Sequence, residues 1–158
     1  ISLLFIVSVF GVASVMAPPP PPLTATPEKI KDGEIITVTS YLDPCDFEDH
    51  ICYDPTIKIY DPSIKDIVHY PIIKDSDFEK FQDASLYVTK VSGPLKTDGE
   101  NIWTWTYRAN QAGTIVFGAP AFPSSPPEYR AITNPVTITK ASYPMNKFMK
   151  ILGFGNKD

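Results

Sequence analysis

The chain has 158 residues and a net charge of -4 at neutral pH; its hydrophobic and charged shares, 43% and 20%, are those of an ordinary globular protein. These totals exclude wholesale disorder and leave room for one domain with a real core, plus extensions. The acidic balance, with no clustered basic face, excludes a nucleic-acid surface, and 17 prolines, about twice the usual share, favour short strands and rigid connections over helices.

Residues Ile1–Ala17 carry no charge. As a helix they would span roughly 25 Å at 1.5 Å per residue, slightly short of the ~30 Å hydrocarbon core of a bilayer. Two readings stay open. One is a secretory signal peptide cut after Val15-Met16-Ala17, a cut that Pro18 obstructs. The other, and the expectation carried forward, is a retained segment for assembly or membrane contact. Its apolar side chains are Leu3, Leu4, Phe5, Ile6, Val7, Val9, Phe10, Val12 and Val15. Pro18–Pro22 must be extended at about 3.1 Å per residue, so residues 18–26 read as a stiff spacer between this segment and a domain.

Pro27–Leu42 reads as a short edge strand, a turn at Lys31-Asp32-Gly33, and a strand in which Ile36, Val38 and Ser40 alternate with Ile35, Thr37 and Thr39. An acidic loop follows, bracketed by Cys45 and Cys52, the only two cysteines. Behind an export segment, these two are expected to form a local disulfide. Cys45, His50 and Cys52 have the ligand types of zinc but are one short of the four a structural site needs. Asp43, Asp46, Glu48 and Asp49 are weak calcium candidates, because the loop lacks the spacing of an EF-hand. A solvated acidic loop is the plainer expectation, and no cofactor is expected.

Thr56–Tyr60 and Asp66–Tyr70 read as strands around a turn at Asp61-Pro62-Ser63. Between Ile72 and Ser85, Phe78 and Phe81 are spaced for one helical turn with Ser76 as its cap. Leu86–Val91 is the next strand, and Gly93–Gly99 a polar loop. In Asn101–Phe122, Trp103, Trp105 and Tyr107 alternate with Thr104, Thr106 and Arg108, and Ile115, Phe117 and Ala119 alternate with Thr114, Val116 and Gly118. Such period-2 rows of aromatic and β-branched residues have one buried face. With Asn110 to Gly113 as the turn, the pair reads as the central hairpin of a β-sandwich, its core built on Trp103, Trp105, Tyr107, Ile115 and Phe117. Val136–Thr139 is the last strand. In the tail, residues 141–158, Met145, Phe148, Met149, Ile151 and Leu152 have roughly helical spacing and predict a short amphipathic helix.

The stretches KDGEIITVTSYL, IKIYDPS and IWTWTYRA to AGTIVF resemble the immunoglobulin-like β-sandwich modules of archaeal and bacterial surface proteins. The resemblance covers residues 27–140. It implies an all-β, immunoglobulin-like sandwich exposed outside the cell, and it implies no catalytic residues. The pair of cysteines that bridges the sheets in antibody domains is absent, since Cys45 and Cys52 are too close in sequence. The apolar N-terminus ahead of a sandwich also resembles pilins and archaellins. That second likeness implies a helix bundled in a filament core, or a donor strand added to a neighbour's sheet.

His50 and His69 are the only histidines, and neither lies in a nucleophile, metal-hydrolase or phosphate-loop motif, so no enzyme is expected. The leading expectation is a structural subunit of an extracellular, cell-surface filament or pilus, a homo-oligomer polymerising through residues 1–17. The alternative is a membrane-tethered or secreted binding and adhesion domain. No Asn-x-Ser/Thr acceptor occurs in the chain.

Overall fold

The computed structural model describes residues 21–45, 51–64, 72–121 and 128–141. The expected N-terminal segment, the strand at 66–70, His50, His69 and the amphipathic tail from Tyr143 lie outside these residues.

The described chain forms β1 (Leu23–Thr26), β2 (Lys29–Lys31), β3 (Ile35–Ser40), β4 (Thr56–Ile59), β5 (Ile72–Lys74), α1 (Asp75–Phe78), β6 (Val88–Lys96), β7 (Trp103–Ala109), β8 (Gly113–Pro120), β9 (Tyr129–Ile132) and β10 (Val136–Thr139). One sheet has the order β1-β3-β7-β6, antiparallel throughout. In the other, β8 is flanked by β4 on one side and by β9 and β10 in succession on the opposite side; β2 pairs with β10 in parallel and β5 with β9.

Lettered as in an immunoglobulin domain, the first sheet is A-B-E-D and the second A′-G-F-C, the first strand being shared between the sheets as β1 and β2. The chain is an immunoglobulin-like β-sandwich.

Residues 101–122 do not form a hairpin. β7 pairs with β3 and β6, whereas β8 lies in the opposite sheet, so Asn110–Ala112 bridges the two layers. In facing sheets the two apolar rows cover each other. Tyr107 and Phe117 meet across the sandwich with ring centroids 5.1 Å apart. Trp105, Tyr107, Ile115 and Phe117 are buried along with Ile36 and Val38, while Trp103 is half-buried at the rim with Lys96 over its ring.

β8 is buried on both faces. Val116 and Gly118, read from the alternation as solvent-facing, lie under Phe78 and Phe81 in a second small core with Ile73 and Ile132. The helical turn α1 is present where Phe78 and Phe81 predicted it, but Lys74 occupies its N-cap without a side-chain bond and Ser76 lies inside it. α1 is instead held by ion pairs of Arg130 with Asp75 and Glu79, and Glu79 also takes Lys58 Nζ at 3.0 Å. Two further expectations are corrected. Leu23–Thr26 belongs to the sheet rather than to a spacer running to residue 26. The loop expected at 93–99 is strand as far as Lys96, because β6 continues through two irregularities in its pairing with β7.

Candidate functional site

Two surfaces stand out from the ordinary exterior of a small sandwich. The first is the outer face of the β1-β3-β7-β6 sheet. Three strands each carry the pattern Thr-x-Thr: Thr24-Ala25-Thr26, Thr37-Val38-Thr39 and Thr104-Trp105-Thr106. In each triplet the middle side chain is buried, so both threonines point outward by the two-residue period of a strand. Register brings them together, placing Thr24 opposite Thr39 and Thr39 opposite Thr104, with Thr26 opposite Thr37 and Thr37 opposite Thr106. The result is two rows of three threonines, spaced about 4.8 Å across strands and about 6.8 Å along them.

β6 extends the rows with Leu95 beside Thr104 and Ser92 beside Thr106. The Ser92 and Thr106 hydroxyls share a hydrogen bond of 2.6 Å. This continuation depends on Gly93, whose φ of +108° suits glycine, and where a Cβ would come within 2.7 Å of both the Thr104 carbonyl oxygen and Trp105 Cα. No charged side chain stands in either row. The third row begins the charged border, with Ile35, Arg108 and Thr89 in register, and Thr89 accepts a hydrogen bond from Asn110 Nδ2 at 2.7 Å.

The second surface is formed by residues 41–45 and 51–55, between β3 and β4. The Cys45–Cys52 disulfide is formed, and Tyr53 N–H donates to the Pro44 carbonyl at 2.9 Å, tying the two arms together. At its far root the Trp105 indole N–H donates to Asp54 Oδ1 at 3.1 Å, and Lys90 Nζ lies 2.6 Å from the same carboxylate. At its near root Tyr41 N–H donates to the Pro22 carbonyl at 3.0 Å. Tyr41, Ile51 and Tyr53 nevertheless expose 37%, 52% and 54% of their surface.

Of the calcium candidates, Asp46, Glu48 and Asp49 lie outside the described residues. Asp43 caps its own loop by accepting the Cys45 N–H at 3.0 Å. Among the described residues no group of three or more His, Cys, Asp and Glu side chains is placed to hold a metal. The assembly residues Leu3 to Val15 also lie outside the described residues.

No protein-family model matches the chain, and no curated protein matches it in sequence. Among solved structures it is similar to the D00-D0 domain of intimin, at 16% identity and a TM-score of 0.37, over 74% of this chain and 45% of that one. The chain thus spans less than half the length of that structure, and the fold assignment stands on the strand order itself.

Sequence reasoning put Thr104 and Thr106 on the face opposite the aromatic row, left the faces of the Thr37 and Thr39 strand unassigned, and missed the grid. The sequence carries four Thr-x-Thr triplets, the fourth being Thr137-Ile138-Thr139 in β10 of the other sheet; that the other three lie side by side was not legible, because β7 is far in sequence from β1 and β3. The anchoring role of Asp54 left no sequence signal, as its partner Trp105 is 51 residues away.

The free strand edges are unequal. β4 is closed on its outer side by residues 82–84, through Ile59 N–H to the Gln82 carbonyl and Ala84 N–H to the Ile57 carbonyl. β6 is broken by its irregular register and by Pro94, both of which blunt an edge against strand addition.

Proposed function

We propose that this chain is an exported, non-catalytic immunoglobulin-like module of a cell-surface protein, adhesive in kind, which meets its partner with the threonine face of the β1-β3-β7-β6 sheet. The observation that carries the reading is the uncharged two-row grid. A soluble surface ordinarily mixes charges of both signs, whereas the centre of a protein interface is depleted of charge, because charged groups resist losing their water. Threonine suits both situations: its hydroxyl stays hydrated in the free protein and its methyl is readily covered in a complex. The disulfide supports an oxidising location.

The test is attachment of beads carrying the full chain to arrays of glycans and matrix proteins. Thr39→Glu with Thr106→Glu places two carboxylates on the grid and is expected to abolish attachment without changing the far-ultraviolet circular dichroism. Attachment unaffected by these substitutions overturns the reading.

A second reading, the subunit of an extracellular filament, is favoured by the polarity of the sandwich. The chain enters β1 at Leu23, beside Ser40, and leaves β10 at Thr139, beside Lys31. These are opposite ends of the strands, so the described sandwich begins and ends at opposite poles, as a head-to-tail array requires. Electron microscopy of the native protein tests it: fibres support this reading and dispersed particles exclude it.

A further inference from the structure

Arg108 continues the outward face of β7 one step beyond the threonine rows. Thr104, Thr106 and Arg108 alternate there with the buried Trp105, Tyr107 and Ala109, which sets Arg108 about 6.8 Å along the strand from Thr106. The chain has two arginines. Arg130 is engaged by Asp75 and Glu79, whereas the exposed Arg108 has no ion pair or side-chain hydrogen bond among the described residues.

Arg108 borders a concavity of about 360 Å3, lined also by Thr89, Lys90, Val91 and Asn110, a volume at the lower end for a small-ligand site. None of these side chains is a carboxylate. Lys90 Nζ lies 2.6 and 2.8 Å from the two oxygens of Asp54, so its charge is already compensated. The charge left over is that of Arg108. Thr89 stands in register beside it and accepts a hydrogen bond from Asn110 Nδ2 at 2.7 Å, which leaves the Thr89 hydroxyl proton to be donated elsewhere. Arginine adds five N–H donors in a planar fork and no acceptor. Donors of both kinds therefore meet in one concavity, and a carboxylate answers both the charge and the fork.

Beyond Arg108 the same face is neutral and rich in hydroxyls: Thr37, Thr106 and Ser92 in one row, then Thr39 and Thr104 in the next. Each of these groups both donates and accepts. A protein partner ordinarily finds an aromatic or arginine anchor at the centre of its contact, but the two rows hold neither, and the adjoining β6 edge is blunted against an incoming strand. A polysaccharide, with hydroxyls on every ring, matches the rows along their length.

We propose that the Arg108 concavity binds the carboxylate of an acidic polysaccharide whose neutral hydroxyls lie along the threonine rows. The inference rests on the reading of the threonine face as the binding surface, and it adds the charge that selects the ligand.

The experiment is attachment of beads carrying the full chain to immobilised oligogalacturonate, hyaluronate and oligosialic acid, each beside its methyl ester, which keeps the backbone and removes the charge. At least one free acid is expected to hold the beads about tenfold more strongly than its ester, the order of a charge-assisted hydrogen bond. Arg108→Gln is expected to bring that acid down to the level of its ester with unchanged circular dichroism, while Lys74→Gln, which removes an exposed cation of the other sheet, changes nothing. Attachment that needs Thr39 and Thr106 but treats acid and ester alike, survives Arg108→Gln, or falls as much with Lys74→Gln overturns the inference and leaves the threonine face standing. Attachment to matrix proteins alone, or to none of the acids, also overturns it. Attachment to an acid that is indifferent to Thr39→Glu with Thr106→Glu overturns both.

Discussion

The Trp105 indole N–H donates to Asp54 Oδ1 at 3.1 Å, joining the middle of β7 to the root of the disulfide loop across 51 residues of sequence. The indole is 1% exposed. One side chain thus fills the core and, with its polar edge, fixes the loop that leads into β4, as buried tryptophans commonly do when their N–H finds a partner.

Replacing Trp105 by Ala is expected to cost about 3 to 5 kcal/mol, the range for a buried large aromatic. Trp105→Phe keeps most of the apolar volume and removes the donor to Asp54, for an expected loss of about 1 to 3 kcal/mol. Urea denaturation of the three proteins checks the order. A Phe variant as unstable as the Ala variant would show that the hydrogen bond, not the volume, dominates.

Gly118→Ala is expected to destabilise by about 1 to 3 kcal/mol, as overpacking does. A Cβ there would lie 2.3 Å from Phe78 Cζ and 2.6 Å from Cε2, so α1 must lift or β8 must shift. Thermal denaturation measures the cost, and Gly118→Ala combined with Phe78→Leu is expected to recover part of it.

Removing the disulfide by Cys45→Ser with Cys52→Ser is expected to cost about 2 to 3 kcal/mol on the chain-entropy account of so small a loop. Because Trp105 contacts Asp54 at the root of that loop, its fluorescence is expected to shift as well. Denaturation midpoints and emission spectra with and without reductant check both outcomes.

The buried Tyr107 hydroxyl has no hydrogen-bond partner among the described residues, and burial, aided by the negative charge of Asp54, holds its ionisation well above the ordinary phenol range. The folded state therefore keeps a proton that the unfolded state releases above about pH 10. The contribution is constant below that pH, and stability falls as pH rises beyond it. Tyr107→Phe removes an unsatisfied group, so it is expected to be neutral or stabilising at pH 7 and to flatten the alkaline decline. Denaturation series at pH 7 and above pH 10 distinguish these expectations from the loss that a bonded hydroxyl would show.

What the sequence determined by itself is local. Alternation marked Ile35–Ser40 as a strand and placed the inner row of Trp103–Ala109, the isolation of Cys45 and Cys52 paired them, and Phe78 with Phe81 announced the helical turn, because strand and helix periods are written in neighbouring residues. Tertiary structure decided which strands are neighbours. It put β7 and β8 in opposite sheets, where Tyr107 and Phe117 bury each other face to face. It also closed Val116 and Gly118 beneath Phe78, where alternation alone suggested water. The threonine grid belongs to this second kind: each Thr-x-Thr triplet is legible, but only the register of β1 on β3 and of β3 on β7 turns three triplets into one surface. That register is set by burying Ala25, Val38 and Trp105 on the inner face, where a slip of one residue would turn every threonine inward and every core side chain out.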